Sequence, residues 1–246
     1  MVLIFTGGEH PSKSNTFQFL QKKLHLERDS KSFIIAADRG LSFCLECGFK
    51  PDILCGDFDS LYDIKNPNQT KEHKKTEYLK NISLELQKKY PTTIVHQWPL
   101  DKDFTDTQIA LYEASVKDSK TIVVIGGDAG RPDHFFANIN LFNEKNTPQY
   151  WLCKHQYIQM LVQSNKYEIC TDLSFSIFPI LNKNKCPLKK YSIKSTNLRW
   201  PLDNIRWDKS MYSLSNRLLK NDTRATLYIK KGYFLFFSSY EEFSER

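Results

Sequence analysis

The chain has 246 residues, 40% hydrophobic and 26% charged, with 9 Gly and 10 Pro. That composition excludes disordered, collagen-like and low-complexity classes and leaves room for one large domain or two modest ones. No apolar run approaches the roughly 20 residues of a membrane span, and MVLIFTGGEH lacks the features of a secretory signal, so a cytoplasmic location and no membrane partner are expected.

The net charge of +7 would suit nucleic acid if the basic residues clustered. The densest run, residues 70–90, instead interleaves Lys with Glu and carries Tyr78, Leu79, Ile82 and Leu86 at helical spacing, as in an amphipathic helix with a solvated basic face. Six cysteines without a secretory signal, several inside apolar runs, read as reduced core thiols; the Cys44/Cys47 pair lacks the second pair a structural zinc needs.

In chain order, VLIF (2–5), SFIIAA (32–37), DILCG (52–56), TIVHQW (93–98), TIVVIGG (121–127) and QYWLC (149–153) read as strands, several apolar throughout as in a sheet buried on both faces. Helical patterns lie between them at 14–26, 41–48, 70–90, 106–117 and 133–144. The alternation predicts an α/β region, 1–154, with an open, mostly parallel sheet flanked by helices. From 155 to 246 the runs become short and rich in Tyr, Phe, Ile and Ser: QYIQMLV, KYEICT, FSIFPIL, YSIKST, MYSLSN, ATLYIKK and YFLFFSS. They predict an all-β sandwich or barrel, with the last two strands forming a hairpin around KKGY.

Ligands of such open sheets bind beyond the carboxyl ends of the strands. TGGEH, ADRG, GDFDS, DKDFTD and GGDAGRPDH all fall there. Asp57 and Asp59, two apart, would point to one side of an extended segment; they are either turn residues or the holders of a hard cation such as Mg²⁺, which takes carboxylate, phosphate and water oxygens. Thr105 and Gln108 form a capping box that accounts for Asp106 in the first helical turn, but not for Asp101, Lys102 and Asp103. A lysine among carboxylates suits a triphosphate with its metal. Gly126, Gly127 and Gly130 allow close backbone approach, Arg131 offers a fork of donors, and Asp133 either caps the following helix or belongs to the site, beside His134. The P-loop and the G-x-G-x-x-G fingerprint are both missing.

These segments resemble the thiamine pyrophosphokinase family. AADRG, GDFDS, DKDFTD and GGDAGRPDHFFANINLF follow the order of its motifs, and TNLRWPL and SLSN resemble two further stretches, so the likeness spans nearly the whole chain. The resemblance implies an ATP-binding α/β domain and a thiamine-binding C-terminal β-sandwich in a homodimer, with active sites near the subunit interface. It implies Mg²⁺-dependent transfer of the diphosphate of ATP to the hydroxyl of thiamine, giving thiamine diphosphate and AMP. Asp57, Asp59 and Asp106 would hold the metal, while Lys102 and Arg131 would meet phosphates. Gly7, Gly8, Asp38, Arg39, Ser60, Asp101, Thr105, Gly127, Asp133 and Asn138 would lie along ATP. Trp200 would be a flat platform for thiamine, with Ser213, Ser215 and Asn216 as polar contacts.

Three positions depart from the family pattern. Arg39 and Asn197 stand where relatives have glycine, and the segment between Trp200 and Ser215 lacks the usual glycine and carries an extra residue. Two rival readings remain on the residues alone: a diphosphokinase for another heterocyclic alcohol, and a non-catalytic nucleotide- or RNA-binding module. The acidic cluster opposes the second, because it repels a phosphate backbone, and no nucleic-acid partner is expected.

Overall fold

The computed structural model describes residues 1–26, 31–60, 72–117, 119–128, 132–144, 146–171, 173–180, 187–210, 212–220 and 222–243, with the main chain alone at 72–78, 80 and 210. Six strands, β1 (Val2–Phe5), β2 (Phe33–Ala37), β3 (Ile53–Gly56), β4 (Ile94–Gln97), β5 (Ile122–Ile125) and β6 (Tyr150–Leu152), pair in parallel in the order β6-β5-β1-β2-β3-β4. Their apolar character follows from burial on two faces. Leu3 and Phe5 face one core with Ile34, Ala36, Leu54 and Val123, whereas Val2 and Ile4 face another with Ile35, Ala37, Ile53 and Val124.

The helices are α1 (Lys13–Gln18, continued by a π turn Phe19–Lys23), α2 (Gly40–Glu46), α3 (Glu72–Lys89), α4 (Asp106–Ser115) and α5 (Pro132–Asn140). On α3 the expected stripe is present: Leu79, Ile82 and Leu86 are buried, while the Tyr78 side chain lies outside the described part. Cys44, Cys47, Cys55 and Cys153 are free, buried thiols, as a reduced core requires, and burial pushes Cys44 up to about 12. Cys170 is free but exposed, and Cys186 lies outside the described residues. Among the described residues no helix is long and apolar enough to cross a membrane.

The second half supplies β7 (Gln156–Val162), β8 (Lys166–Ile169), β9 (Phe175–Ile180), β10 (Ser192–Thr196), β11 (Ser213–Asn216), β12 (Ala225–Lys231) and β13 (Tyr233–Ser239), with a short helix α6 (Trp207–Ser210). β7 turns back antiparallel on β6, so β11-β9-β13-β7 extends the parallel sheet into one ten-stranded sheet. Main-chain hydrogen bonding therefore runs straight across residues 154 and 155. A separate antiparallel sheet, β10-β12-β8, packs on that extension, with Ile169, Ile193, Leu227 and Ile229 against Tyr157, Phe175, Phe234 and Phe236. This is the expected sandwich, but its larger layer belongs to the sheet that begins in the first half.

The predicted hairpin around KKGY does not form. β12 pairs with β10 and β8, whereas β13 pairs with β7 and β9, so the chain changes sheets at Gly232. Alternation along each arm fits either arrangement, and packing decides: the backbone at Gly232 has φ +100° and lies against the buried ring of Tyr191. A Cβ there would stand 2.4 Å from that ring, which is fixed by the Tyr191 hydroxyl bond to the Ile180 carbonyl (2.9 Å) and by Phe234. Gly232→Ala is accordingly expected to destabilise the fold by about 2–4 kcal/mol in urea unfolding, combining a forbidden φ with overpacking; a change below about 0.5 kcal/mol would mean that the corner relaxes freely.

Candidate active site

The carboxyl ends of β1 to β5 open into a cleft of about 950 Å³ lined by residues from all five following loops. The first contributes Thr6, Gly7 and Gly8, the second Ala37, Asp38 and Arg39, the third Asp57 and Ser60, the fourth Leu100 and residues 102–108, and the fifth Gly127 with His134 and Asn138 from α5. Strand order places β1 between β5 and β2, so the chain departs from β1 in both directions and the loops there diverge.

The acidic pair is built differently from the extended segment that the spacing suggested. Phe58, between the two acids, takes the left-handed conformation at φ +62° and buries its ring completely. Left-handed geometry costs a non-glycine residue roughly 1–2 kcal/mol, and burying a phenylalanine returns about 1.5–3 kcal/mol, so the core holds the turn in place. Asp57 Oδ1 accepts the amide of Asp59 (3.2 Å), while Asp57 Oδ2 pairs closely with the Lys102 ammonium. Both readings of Asp57 thus hold at once: one oxygen closes a turn and the other faces the cleft. Asp59 accepts the Ser60 hydroxyl (3.2 Å) and is not among the residues lining the cleft.

Lys102 also lies 3.3 Å from Asp106 Oδ1, bridging acids from two loops. Burial pulls Lys102 down, but Asp57 and Asp106 outweigh it and raise its pKa, so it remains an ammonium. Burial, with Asp57 adding, raises Asp106 despite Lys102. Asp106 is held by the predicted capping box: Thr105 Oγ1 accepts the Gln108 amide (3.2 Å) and Gln108 Oε1 accepts the Thr105 amide (2.9 Å). Asp38, at the end of β2, has φ +45°, is 6% exposed and lines the cleft.

Two carboxylates, Asp57 and Asp106, therefore meet on one ammonium, with Asp38 and Asp59 close enough for repulsion among the acids to raise Asp38 and Asp106. Among the described residues no three His, Cys, Asp or Glu side chains already converge as ligands of one ion; Asp57 and Asp106 instead meet at Lys102. The donor set still fits a divalent cation in two respects. All its atoms are hard oxygens, and the buried Asp38 Oδ1 and Asp106 Oδ1 have no hydrogen-bond partner among the described residues.

Gly127 lines the cleft as expected, but its amide donates to the Glu9 carbonyl (2.7 Å) and its carbonyl accepts from Asn138 Nδ2 (2.8 Å). The Gly126–Gly127 turn, at φ +95° and +83°, thus anchors the fifth loop to the first, and Asn138 locks it. Arg39 packs over Gly7, where a Cβ would lie 3.1 Å from Arg39 Cβ. Asp101 and Asp133 are exposed and do not line the cleft. Arg131 and Gly130 lie outside the described residues. Thr6, Leu100, Phe104 and Thr107 line the cleft without having been singled out; Thr6 and Thr107 share a buried hydroxyl contact of 2.7 Å that joins the first loop to α4. The signal for Thr6 was its place directly after a strand.

None of the residues expected at thiamine lines this cleft. Trp200 is 49% exposed, with the Arg217 guanidinium 5.6 Å from the ring centroid. Asn216 is fully buried: its Oδ1 accepts the Trp200 amide (3.3 Å) and its Nδ2 donates to the Trp200 carbonyl (2.8 Å), so it clamps the tryptophan loop. Ser213 and Ser215 lie on β11, whose pairing with β9 shifts register between Ser213 and Asn216, and Ser215 takes φ +52°. Asn197 has φ +59°, a left-handed geometry that asparagine tolerates, and it donates to the Arg224 carbonyl (3.0 Å).

Fold and cleft together define an α/β protein with an acidic centre at the carboxyl end of its sheet, and the family match adds the class, a transferase of the kinase type. The description "Thiamin pyrophosphokinase, catalytic domain" matches residues 24–152, just over half of the chain, and the chain belongs to that family of enzymes, whose reaction is diphosphate transfer from ATP. It is 26% identical over 217 residues to the thiamine pyrophosphokinase of Bacillus subtilis, covering 86% of this chain and 89% of that one. The Bacillus subtilis crystal structure superposes with a TM-score of 0.66 at 24% identity, over 97% of this chain and 98% of that one. The Candida albicans thiamin pyrophosphokinase gives 0.53 at 17% identity, over 97% and 88%. At these identities the structural likenesses speak for the fold.

The electrostatics carry a pH dependence. Burial, reinforced by Asp106, Asp57 and Asp59 and opposed by Ser60, pushes Asp38 up to about 6. Because its folded pKa lies above the unfolded one, the contribution to stability is complete below the unfolded pKa and is lost as pH rises through 6. In chelator-treated protein, urea stability from this group is expected to rise by about 1 kcal/mol from pH 7 to pH 5. An Asp38→Asn variant with an unchanged pH slope would show that Asp38 titrates normally.

Proposed function

We propose that the cleft binds ATP with a divalent cation, Mg²⁺ in the cell, and that the chain transfers the diphosphate group to the hydroxyl of thiamine. The observation that carries this reading is the meeting of Asp57 and Asp106, from different loops, on Lys102. Such a group of acids around a single ammonium calls for further positive charge, and a magnesium–polyphosphate complex brings both the cation and anions for Lys102 to bind. The hydroxyl oxygen of thiamine forms a bond to the β-phosphorus, the bond from that phosphorus to the oxygen of the α-phosphate breaks, AMP leaves, and the hydroxyl proton is released.

When bound, the metal supplies neutralisation of the phosphate oxygens. Asp57 and Asp106 would hold it, with Asp59 at the rim. Lys102 orients the transferred group, and the Gly7–Gly8 loop and Arg39 border the nucleotide. Catalysis here is chiefly positioning and electrostatics. Arg131 keeps a proposed phosphate role from the sequence motif. Trp200 offers a half-exposed indole face to the planar pyrimidine or the thiazolium cation, and Ser213 and Ser215 keep a proposed polar role from the sequence motif.

Because Trp200 lies apart from the cleft within one chain, a homodimer that brings the tryptophan of one protomer to the cleft of its partner completes the proposal. Incubation with ATP, Mg²⁺ and thiamine should yield AMP and thiamine diphosphate; ADP in place of AMP would overturn the reaction. Asp57→Asn is expected to lower kcat by about 10²-fold or more with the fold retained, and wild-type AMP production from that variant would remove Asp57 from the centre. Trp200→Ala should raise the KM for thiamine and leave that for ATP unchanged. At a thiamine concentration too low for Trp200→Ala to turn over, mixing Asp57→Asn and Trp200→Ala protomers should restore about a quarter of wild-type activity if the site is shared in a two-fold dimer; no recovery after verified subunit exchange would place each site within one chain.

A further inference from the structure

Asp38 stands out among the acids of the cleft. Asp57 is committed to an amide and to Lys102, and Asp59 accepts from Ser60. Asp106 Oδ1 has an ion pair at 3.3 Å. The Asp38 carboxylate is bonded by Ser60, yet its Oδ1 has no hydrogen-bond partner among the described residues, although the residue is more than nine-tenths buried and lines the cleft. An acid placed so is costly unless something bound repays it.

Its placement is also enforced by the backbone. Asp38 is left-handed, at φ +45°, and both its amide and its carbonyl are used: the amide donates to the Cys55 carbonyl (2.9 Å) and the carbonyl accepts from Leu41 (3.1 Å). Next to it, Gly56 is left-handed at φ +139°. A Cβ on Gly56 would stand 3.2 Å from Asp38 Cβ and 3.3 Å from Asp106 Oδ1. The missing side chain lets these two acids approach each other over the end of β3. Strain of this kind, held in place by packing, collects where a ligand is bound.

We infer that Asp38 supplies an oxygen to the coordination shell of the divalent ion, bonded to the metal or to a water upon it, as a fourth acid of the centre beside Asp57, Asp59 and Asp106. The inference rests on the ATP–metal reading above and changes the part Asp38 plays in it, from a contact along the nucleotide to an anchor of the cation. Asp38 directly follows β2, and Arg39, the next residue, caps α2 and carries a cation, so Asp38 is the one acid this loop brings to the cleft.

Binding of Mn²⁺ alone to the full chain, followed by electron paramagnetic resonance, tests this alongside the thermal midpoint of chelator-treated protein. Asp38→Asn is expected to weaken Mn²⁺ about 10- to 100-fold while leaving the metal-free midpoint equal to or above that of the wild type, because a buried charge repelled by Asp106, Asp57 and Asp59 has been removed. Asp38→Ala, which keeps no oxygen, should weaken Mn²⁺ at least as much and guards against a special effect of the amide. Unchanged Mn²⁺ affinity in both variants overturns the inference and leaves the ATP–metal reading intact. A lowered metal-free midpoint that accompanies weaker binding also overturns it, by showing a structural role. Failure of the wild type to bind Mn²⁺ overturns both the inference and the metal centre itself.

Discussion

Repulsion among carboxylates gathered at the end of one sheet is the constraint on which the site depends. Asp57 and Asp106 come from separate loops, and the Lys102 ammonium joins them in a setting where all three are largely removed from water. A buried ion pair gains little net stability against its desolvation cost, whereas breaking one is expensive. Such an arrangement is therefore poor as structural reinforcement and well suited to a centre that exchanges one cation for another. Lys102 keeps its charge there, because Asp57 and Asp106 outweigh its burial.

The surrounding fold makes this concentration of charge tolerable. Parallel strands buried on both faces give a rigid floor, and rigid features hold each loop: the buried ring of Phe58, the capping box on α4, the Asn138 lock on the Gly126–Gly127 turn, and the hydroxyl contact between Thr6 and Thr107. Apolar burial thereby fixes polar groups where they would not collect unaided. Left-handed Asp38 and Phe58 show where the local backbone preference is overruled by packing.

The second half is bound to the first more intimately than two successive domains would be. Because β7 folds back on β6, the parallel sheet continues as one face of the sandwich, and Phe19 of the π turn packs against Tyr157 and Phe243 from the second half. The clamped Trp200 loop, held by buried Asn216, is attached to that same sheet by β11 and β9.

Much of this was legible in the residues, because it depends on local order. Apolar runs and helical spacing located the strands and the helices, T-x-x-Q located the cap of α4, and the order of the acidic and glycine-bearing motifs located the loops of the cleft. Left-handed Asn197 was foreseeable because asparagine tolerates that geometry. What tertiary structure alone decided involves groups distant in sequence. Alternation in ATLYIKK and YFLFFSS is the same whether the two strands pair or part, and the Tyr191 ring against Gly232 sends them into different sheets. The spacing of Asp57 and Asp59 suits a shared face only in extended backbone, and burial of Phe58 removed that condition. Asn216 looked like a free polar contact until the tryptophan loop occupied its amide, and Asp38 looked ordinary until the surrounding chain buried it with one carboxylate oxygen unsatisfied. Sequence determined which chemical groups reach the end of the sheet; only packing determined which of them remain unsatisfied there, because satisfaction of a polar atom depends on neighbours that local spacing does not encode.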